Sequence, residues 1–282
     1  MSYIIETALE LVCVYSFVAL ALFLSFRILD IADLTTDGCF VLGMCVSIVC
    51  TLNNHPLLGI FMGMVSGGIA GLVTALLQTK LGVPSILAGI VTNTALYTIN
   101  LMVMGFSSNI SILRNKTIFN GNKLLLLVLI VVVAMILLRY FLSTRLGLSI
   151  RATGDNIDMV SASSINPKAC ILIGLVMSNM LTGLGGALAG QLQKSADINA
   201  CNGVVTIGLA TLIIGETVIN GKKSITRNII ACLIGNIIYR LIYAFILQTH
   251  IIPIECLKLM TALIITLAIA LPYLKDRKKA LC

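Results

Sequence analysis

Apolar residues fill this chain in long runs separated by a few polar positions, with little of the two-residue alternation that marks half-buried strands. About nine runs approach the ~20 residues that a helix needs to cross a bilayer. They lie at roughly 8–26, 31–52, 56–78, 85–104, 124–142, 170–190, 204–219, 229–247 and 257–272. Polar residues interrupt the second, and the seventh is short. The pattern predicts an all-α polytopic membrane protein with about nine transmembrane helices, forming one transmembrane domain over 1–282. The glycines and the lack of alternating segments favour helices over a barrel. The first run has no basic leader and no small-residue cleavage site, so it reads as a span.

Composition strengthens this reading. The chain is 59% hydrophobic and 11% charged, whereas a soluble domain is about 25% charged. The net charge of +8 reflects basic loops rather than nucleic-acid binding. With the N-terminus outside, Arg27, Lys80, Arg139, Arg145, Arg151, Lys168, Lys222, Lys223, Arg227 and the tail Lys275, Arg277, Lys278 and Lys279 share one side. Arg114, Lys116, Lys123, Lys194 and Lys258 share the other. The positive-inside rule then gives N-outside, C-inside, with a basic cytoplasmic tail at 273–282. Most of the nine cysteines, among them Cys13, Cys45, Cys50, Cys170 and Cys232, lie within apolar runs without paired metal spacing and read as small buried hydrophobes.

Small residues recur at helical spacing. The third run places Gly59, Gly63, Gly67 and Gly71 on one face, and the sixth places Gly174, Ser178, Thr182, Gly186 and Gly190 on one face. The strings "GGIAGLVTALLQ" (67–78) and "TGLGGALAGQLQ" (182–193) are alike, and the topology runs them in opposite directions. Two readings stand: an inverted repeat of the transporter kind, or small residues serving tight packing in any bundle.

Polar residues inside apolar runs mark candidate chemistry. In "RILDIADLTTDG" (27–38), Asp30, Asp33 and Asp37 would share a face if the segment were helical. The segment is either a broken or re-entrant helix lining a translocation path or a cytoplasmic turn with solvated aspartates. The fourth span aligns Asn93, Tyr97 and Asn100, with Thr94 beside them. They contact a substrate or bond neighbouring helices, as do Asn179 and Asn236. Arg240 would pair with an acid such as Glu216 or snorkel to an interface.

"SIRATGDNIDMVSASSINP" (149–167) is a polar island between two apolar runs, within a loop of about 144–169 placed on the inside. Asp155 can cap a helix, with Asp158 completing an approximate capping box. Ile157, Val160 and Ile165, with Met159 and Ala162, would form its apolar side, and Pro167 limits its extension. Such a helix suits docking into a partner's groove, or it is an ordinary loop on the membrane surface.

Other signals fail. "GETVINGKKS" (215–224) has five residues between its glycines and two lysines where a phosphate loop needs four and Lys-Ser/Thr. His55 and His250 lack a zinc motif, and the acceptor triplets at Asn109 and Asn115 are short enough to arise by chance. No reactive constellation points to an enzyme, and no metal site is evident.

The loop string "RLGLSIRATGDNIDMVSASSIN" resembles the cytoplasmic coupling loop of permease subunits in branched-chain amino acid and ribose-type ABC importers. "DIADLTTDGCFVLG" resembles an early segment of that superfamily, and "GLATLIIGE" (208–216) a later one. The branch associated with tryptophan and tyrosine uptake is nearest, carrying near-identical forms of "ADLT-DG" and "RATGDN". The resemblance runs over roughly 10–272, with Cys201 standing where a glycine is expected.

The resemblance implies a permease subunit that binds no cofactor itself, with ATP and magnesium on a partner ATPase. A second copy of the chain, cytoplasmic ABC ATPases, an extracytoplasmic substrate-binding lipoprotein and membrane lipid would be its partners, in a bacterial plasma membrane. Arg151, Ala152, Thr153, Gly154, Asp155 and Asn156, with Ile157 and Val160, would face the ATPase. Asp33, Leu34, Thr35, Thr36, Asp37 and Gly38 would line the pathway, with Asn93, Tyr97, Asn100 and Asn179 as further candidates, and Glu216 would end a span near the cytoplasm. The solute that the resemblance implies is an amino acid, an aromatic one in the nearest branch. The rival is an ion-coupled secondary transporter using the acidic segment 30–37.

Overall fold

The computed structural model describes residues 2–113, 115–119, 121–201, 203–219, 224–249, 259, 262–263 and 266. The expected ninth span at 257–272 and the basic tail lie largely outside the described residues, as do Arg114, Lys222, Lys223, His250 and Lys258. Ten α-helices carry the described chain: α1 (Ser2–Leu22), α2 (Thr36–Leu52), α3 (Pro56–Leu81), α4 (Ser85–Val103), α5 (Lys123–Ser143), α6 (Arg145–Asp155), α7 (Ile157–Ala162), α8 (Pro167–Gln193), α9 (Val204–Val218) and α10 (Ile225–Thr249). A π-helical segment, Phe23–Ile28, extends α1. Two short strands, β1 (Asn109–Ser111) and β2 (Ser195–Asp197), pair antiparallel.

Seven described segments are long and apolar enough to cross a membrane. The chain is an all-α polytopic membrane protein. The second expected span is shorter than the sequence suggests. A full crossing over 31–52 was expected, but the helix begins only at Thr36, and its 17 residues reach about 25 Å. The residues before it do not extend it: the chain turns at Asp30 (φ 55°) and carries no regular structure from Ile31 to Leu34. Chain reversal there returns the Ile31 N–H to the Ser25 carbonyl at 2.9 Å.

The strand pair joins the α4–α5 and α8–α9 connections, defining one end of the bundle. The segment α6–α7 lies at the other end. Arg27, Lys80, Arg139, Arg145, Arg151, Lys168 and Arg227 all sit on element ends or loops at the α6–α7 end. Lys116, Lys123 and Lys194 sit at the strand end, so the connectivity groups the described basic residues as the sequence does.

The core lies where α1, α2 and α8 meet, with Val14, Phe17, Val18, Leu22, Phe40, Val41, Met44, Ile48 and Leu188 buried together. Helix α5 is the opposite case: only 17% of its apolar window is buried, and it exposes Leu125, Val128, Leu129, Val132, Val133, Ile136 and Leu137. An all-apolar exposed face suits lipid tails.

The paired small-residue helices are direct neighbours. Gly63 lies against Ala187, Gly67 against Gly183 and the Asn179 carbonyl, and Gly71 against Asn179 and Leu175, so α3 and α8 run antiparallel. Gly59 packs on Ser47, Gly186 on the Phe40 carbonyl and Gly190 on Met44 and Ile48. A methyl group on Gly43 would strike the Gly183 carbonyl, one on Gly183 the Gly63 carbonyl, and one on Gly63 the Gly43 carbonyl. Three backbones thus touch at one crossing, which is what small residues allow in a membrane, where apolar side chains alone give helices little reason to associate.

Candidate functional site

The break between the π segment and α2 places a carboxylate at the middle of the bundle. Asp33 is fully buried. Its Oδ1 accepts the Thr35 N–H at 2.9 Å, and its Oδ2 accepts from Asn179 Nδ2 at 2.6 Å. Asn179 is the middle of α8, so Asp33 sits near mid-depth. A buried carboxylate without bonds would be costly; this one is held by neutral donors and by the open first turn of α2, whose N–H groups favour negative charge. Thr35 then bonds Thr74 of α3, Oγ1 to Oγ1, at 2.8 Å. Thr36 is also fully buried and donates its hydroxyl to the Asp33 carbonyl at 3.3 Å.

The three aspartates do not form one face. Asp30 is exposed, Asp33 is enclosed, and Asp37 is half-buried. Shared orientation needed a continuous helix over 30–37, and the left-handed turn at Asp30 removes it. Asp37 instead reaches across to α9 and accepts the Val205 N–H at 2.8 Å. Helix α9 starts well inside the bundle, with Gly208 against Val18 and Leu22 of α1, so its first amides cannot rely on bulk water. Asp37 satisfies one of them from a different helix.

On α4, Asn100 is buried and donates to the Gly38 carbonyl at 3.3 Å, while Asn93 places its side-chain oxygen against Gly38. Their observed use is to hold α4 on α2. Tyr97 does not join them and is 50% exposed on the free side of α4. Thr74 is the residue that sequence reasoning missed. It lies three positions after Gly71, on the glycine-bearing face of α3, and that spacing was the available signal.

The loop between α5 and α8 folds as two helices rather than one. Thr144 caps α6, accepting the Gly147 N–H at 3.3 Å. Asn156 caps α7, accepting the Met159 N–H at 3.0 Å. The expected cap at Asp155 is therefore displaced by one residue: Asp155 ends α6, and extended Asn156 has the geometry that a cap requires. Arg151, Ala152, Thr153 and Gly154 lie within α6, with Thr153 buried. The expected apolar side of a single helix divides. Val160 is buried and Ile165 half-buried, while Ile157 and Met159 stand exposed. Gly154 meets the Ile28 carbonyl so closely that no side chain fits between.

Arg240 does not pair with Glu216. Its guanidinium carbon lies 3.7 Å from the Tyr15 ring centroid, and Glu216 bonds Arg27 at 2.8 Å. A guanidinium over a ring face satisfies part of its charge without an acid. In the rejected phosphate-loop string, Gly215 packs on the Ala231 carbonyl and residues 220–223 lie outside the described residues.

The family model for the permease component of branched-chain amino acid transport systems matches residues 4–269. The chain belongs to this permease family. It is 33% identical over 255 residues to a tyrosine transport system permease protein of Clostridioides difficile, covering 89% of this chain and 85% of that one. It is 32% identical over 275 residues to an uncharacterized protein of Rickettsia prowazekii, covering 95% and 97%. No solved structure matches. This permease is a multi-pass protein of a bacterial plasma membrane.

Proposed function

We propose that this permease is the membrane-spanning subunit of an ATP-driven ABC importer for an amino acid, with tyrosine the first solute to test. The observation that carries the reading is the family match over 4–269 together with a relative named for tyrosine transport. The chain acts as one permease domain over 1–282, N-outside and C-inside, and two copies form the channel. ATP and magnesium are handled by cytoplasmic ATPases that dock on the loop 144–169. A substrate-binding lipoprotein delivers solute at the strand end. The Asp33–Thr35–Asn179 cluster lies at the depth where the pathway must switch access, and ATPase closure would shift it between two conformations of unequal affinity. No covalent step falls to this chain.

The ion-coupled alternative needs the acidic segment to act as one site. Asp30 in solvent, Asp33 enclosed by neutral donors and Asp37 engaged with α9 give it little support. The test is a pull-down of the tagged chain from its native membrane in mild detergent, read by mass spectrometry. An ATPase and a lipoprotein should be recovered. The chain alone, transporting tyrosine in proteoliposomes under an ion gradient, would overturn the importer reading.

A further inference from the structure

The π-helical segment Phe23–Ile28 is held by more of the fold than its six residues suggest. At its end, Ile28 meets Gly154, the penultimate residue of α6. Arg27 bonds Glu216 near the end of α9, Nε to Oε1, at 2.8 Å. The next residue, Leu29, packs its side chain on Gly174 of α8. Four residues later comes Asp33, bonded to Asn179 of the same helix. One short stretch therefore touches α6, α8 and α9 and leads directly into the buried carboxylate.

We propose that residues 23–33 form the joint that carries movement of the α6–α7 loop into the Asp33 break, with Arg27 as its positioning residue. This rests on the ATPase-docking assignment of that loop. Three physical features support it. The contact at Gly154 is backbone on backbone, so a displacement of α6 passes to Ile28 without being absorbed by a side chain. The π geometry lacks the regular i→i−4 ladder, with Leu29 N–H bonding Leu24 five residues back at 3.1 Å, and such segments recur at functional sites. The Arg27–Glu216 pair is partly solvated, with side-chain exposures of 51% and 31%. A pair of that kind is weak enough to break and re-form, unlike a buried one. When it holds, α9 is bound to the joint, and α9 is the helix whose first amides Asp37 caps. The π segment thereby meets α6 directly at Gly154, and α2 is connected to the same joint through Asp37, α9 and the Arg27–Glu216 pair.

The test uses the permease with its co-purifying ATPase in proteoliposomes. Ile31→Cys supplies a probe in the break, and N-ethylmaleimide labelling at that position is read by peptide mass spectrometry with Mg-ATP and with Mg-ADP. In the otherwise unaltered chain the two nucleotides should give different labelling. Arg27→Gln and Glu216→Gln should each reduce that difference by about 2- to 5-fold, the range over which a partly exposed pair shifts an equilibrium. Both should keep the ATPase bound. The charge exchange Arg27→Glu with Glu216→Arg should restore the difference, which a merely structural loss would not allow. Equal labelling with both nucleotides in the starting complex would overturn the joint. So would an undiminished difference in either single variant with ATPase bound. Failure of the starting chain to bring down any ATPase would overturn the docking assignment, and the joint with it.

Discussion

Asp33 and Asn179 meet at 2.6 Å in the middle of the bundle, one on an interrupted segment and the other at the centre of the longest described helix. The bond joins two sequence features that are unremarkable apart: an acid near a span end and an amide among glycines. Together with Thr35 and Thr74 they make a polar layer across α2, α3 and α8.

Removing the carboxylate should therefore harm both stability and transport, in separable degrees. Asp33→Ala leaves the Thr35 N–H without its acceptor and the Asn179 amide with only the Leu175 carbonyl, at about 1–3 kcal/mol for each buried donor left unpaired. Asp33→Asn keeps shape and one acceptor, so its melting temperature in detergent should lie between those of Asp33→Ala and the parent. Uptake of labelled tyrosine should fall for both variants, even where the assembled complex is recovered in parental amount. Parental uptake by an assembled Asp33→Ala complex would remove Asp33 from the pathway.

The glycine crossing gives a sharper stability prediction. Gly67→Leu drives a side chain into the Asn179 carbonyl and Gly183, and no rotamer change relieves a clash at Cβ. The folded yield in membranes should drop severely. Gly121→Ala is the control, since nothing lies within 4 Å of the added methyl group. Monodisperse material on size-exclusion chromatography distinguishes the two.

These contrasts mark where the sequence is informative. Spans are legible because length and apolar content alone decide them, and the glycine faces because a four-residue spacing has one geometric meaning in a helix. The break at 29–35 was not fully legible. Ile31 and Leu34 keep the segment apolar enough to pass as helix, and the left-handed turn at Asp30 arises at a residue type that only sometimes adopts it. Continuity through that segment is also what would put the three aspartates on one face. The partner of Arg240, which the sequence leaves open between Glu216 and an interface, is a tertiary matter: which cation reaches which acid depends on helix rotation, and spacing within a single helix does not encode that.

ATPase docking should respond to the exposed side of α7 and not only to the loop as a whole. Gly154→Arg would displace the Ile28 carbonyl and so disturb the fold as well as the surface. Met159 is 66% exposed and Ile157 51%, which makes Met159→Asp the cleaner change. It should leave the melting temperature unaltered and weaken ATPase binding by about 10-fold, or 1.4 kcal/mol. Titration of detergent-solubilised permease with ATPase measures this, and unaltered affinity would move the docking face elsewhere.

The capping of α9 by Asp37 is testable by hydrogen exchange. Substituting a cap typically costs about 0.5–2 kcal/mol. Asp37→Ala should therefore accelerate exchange at Val204 and Val205, while amides in the α8 half of the core keep their protection. Asp37→Asn, which retains an acceptor oxygen, should show a smaller acceleration. Uniform acceleration across α8 and α9 would mean that Asp37 supports the whole bundle rather than one helix start.

Arg240 tests how a membrane-embedded cation is tolerated when no acid among the described residues pairs with it. Its guanidinium is buried, lies over Tyr15, and leaves Nε and Nη2 without hydrogen-bond partners among the described residues. Tyr15 in turn packs on Phe40, with ring centroids 5.7 Å apart. The ring face is then the main compensation for the charge, worth about 2 kcal/mol when desolvated. Tyr15→Phe keeps the face and should melt close to the parent. Tyr15→Leu keeps apolar volume but loses the quadrupole, so it should melt several degrees lower. If Arg240→Met restores the melting temperature of the Tyr15→Leu protein, the loss came from the stranded charge. If it does not, Tyr15 contributes chiefly through its contact with Phe40, and Arg240 must be compensated elsewhere.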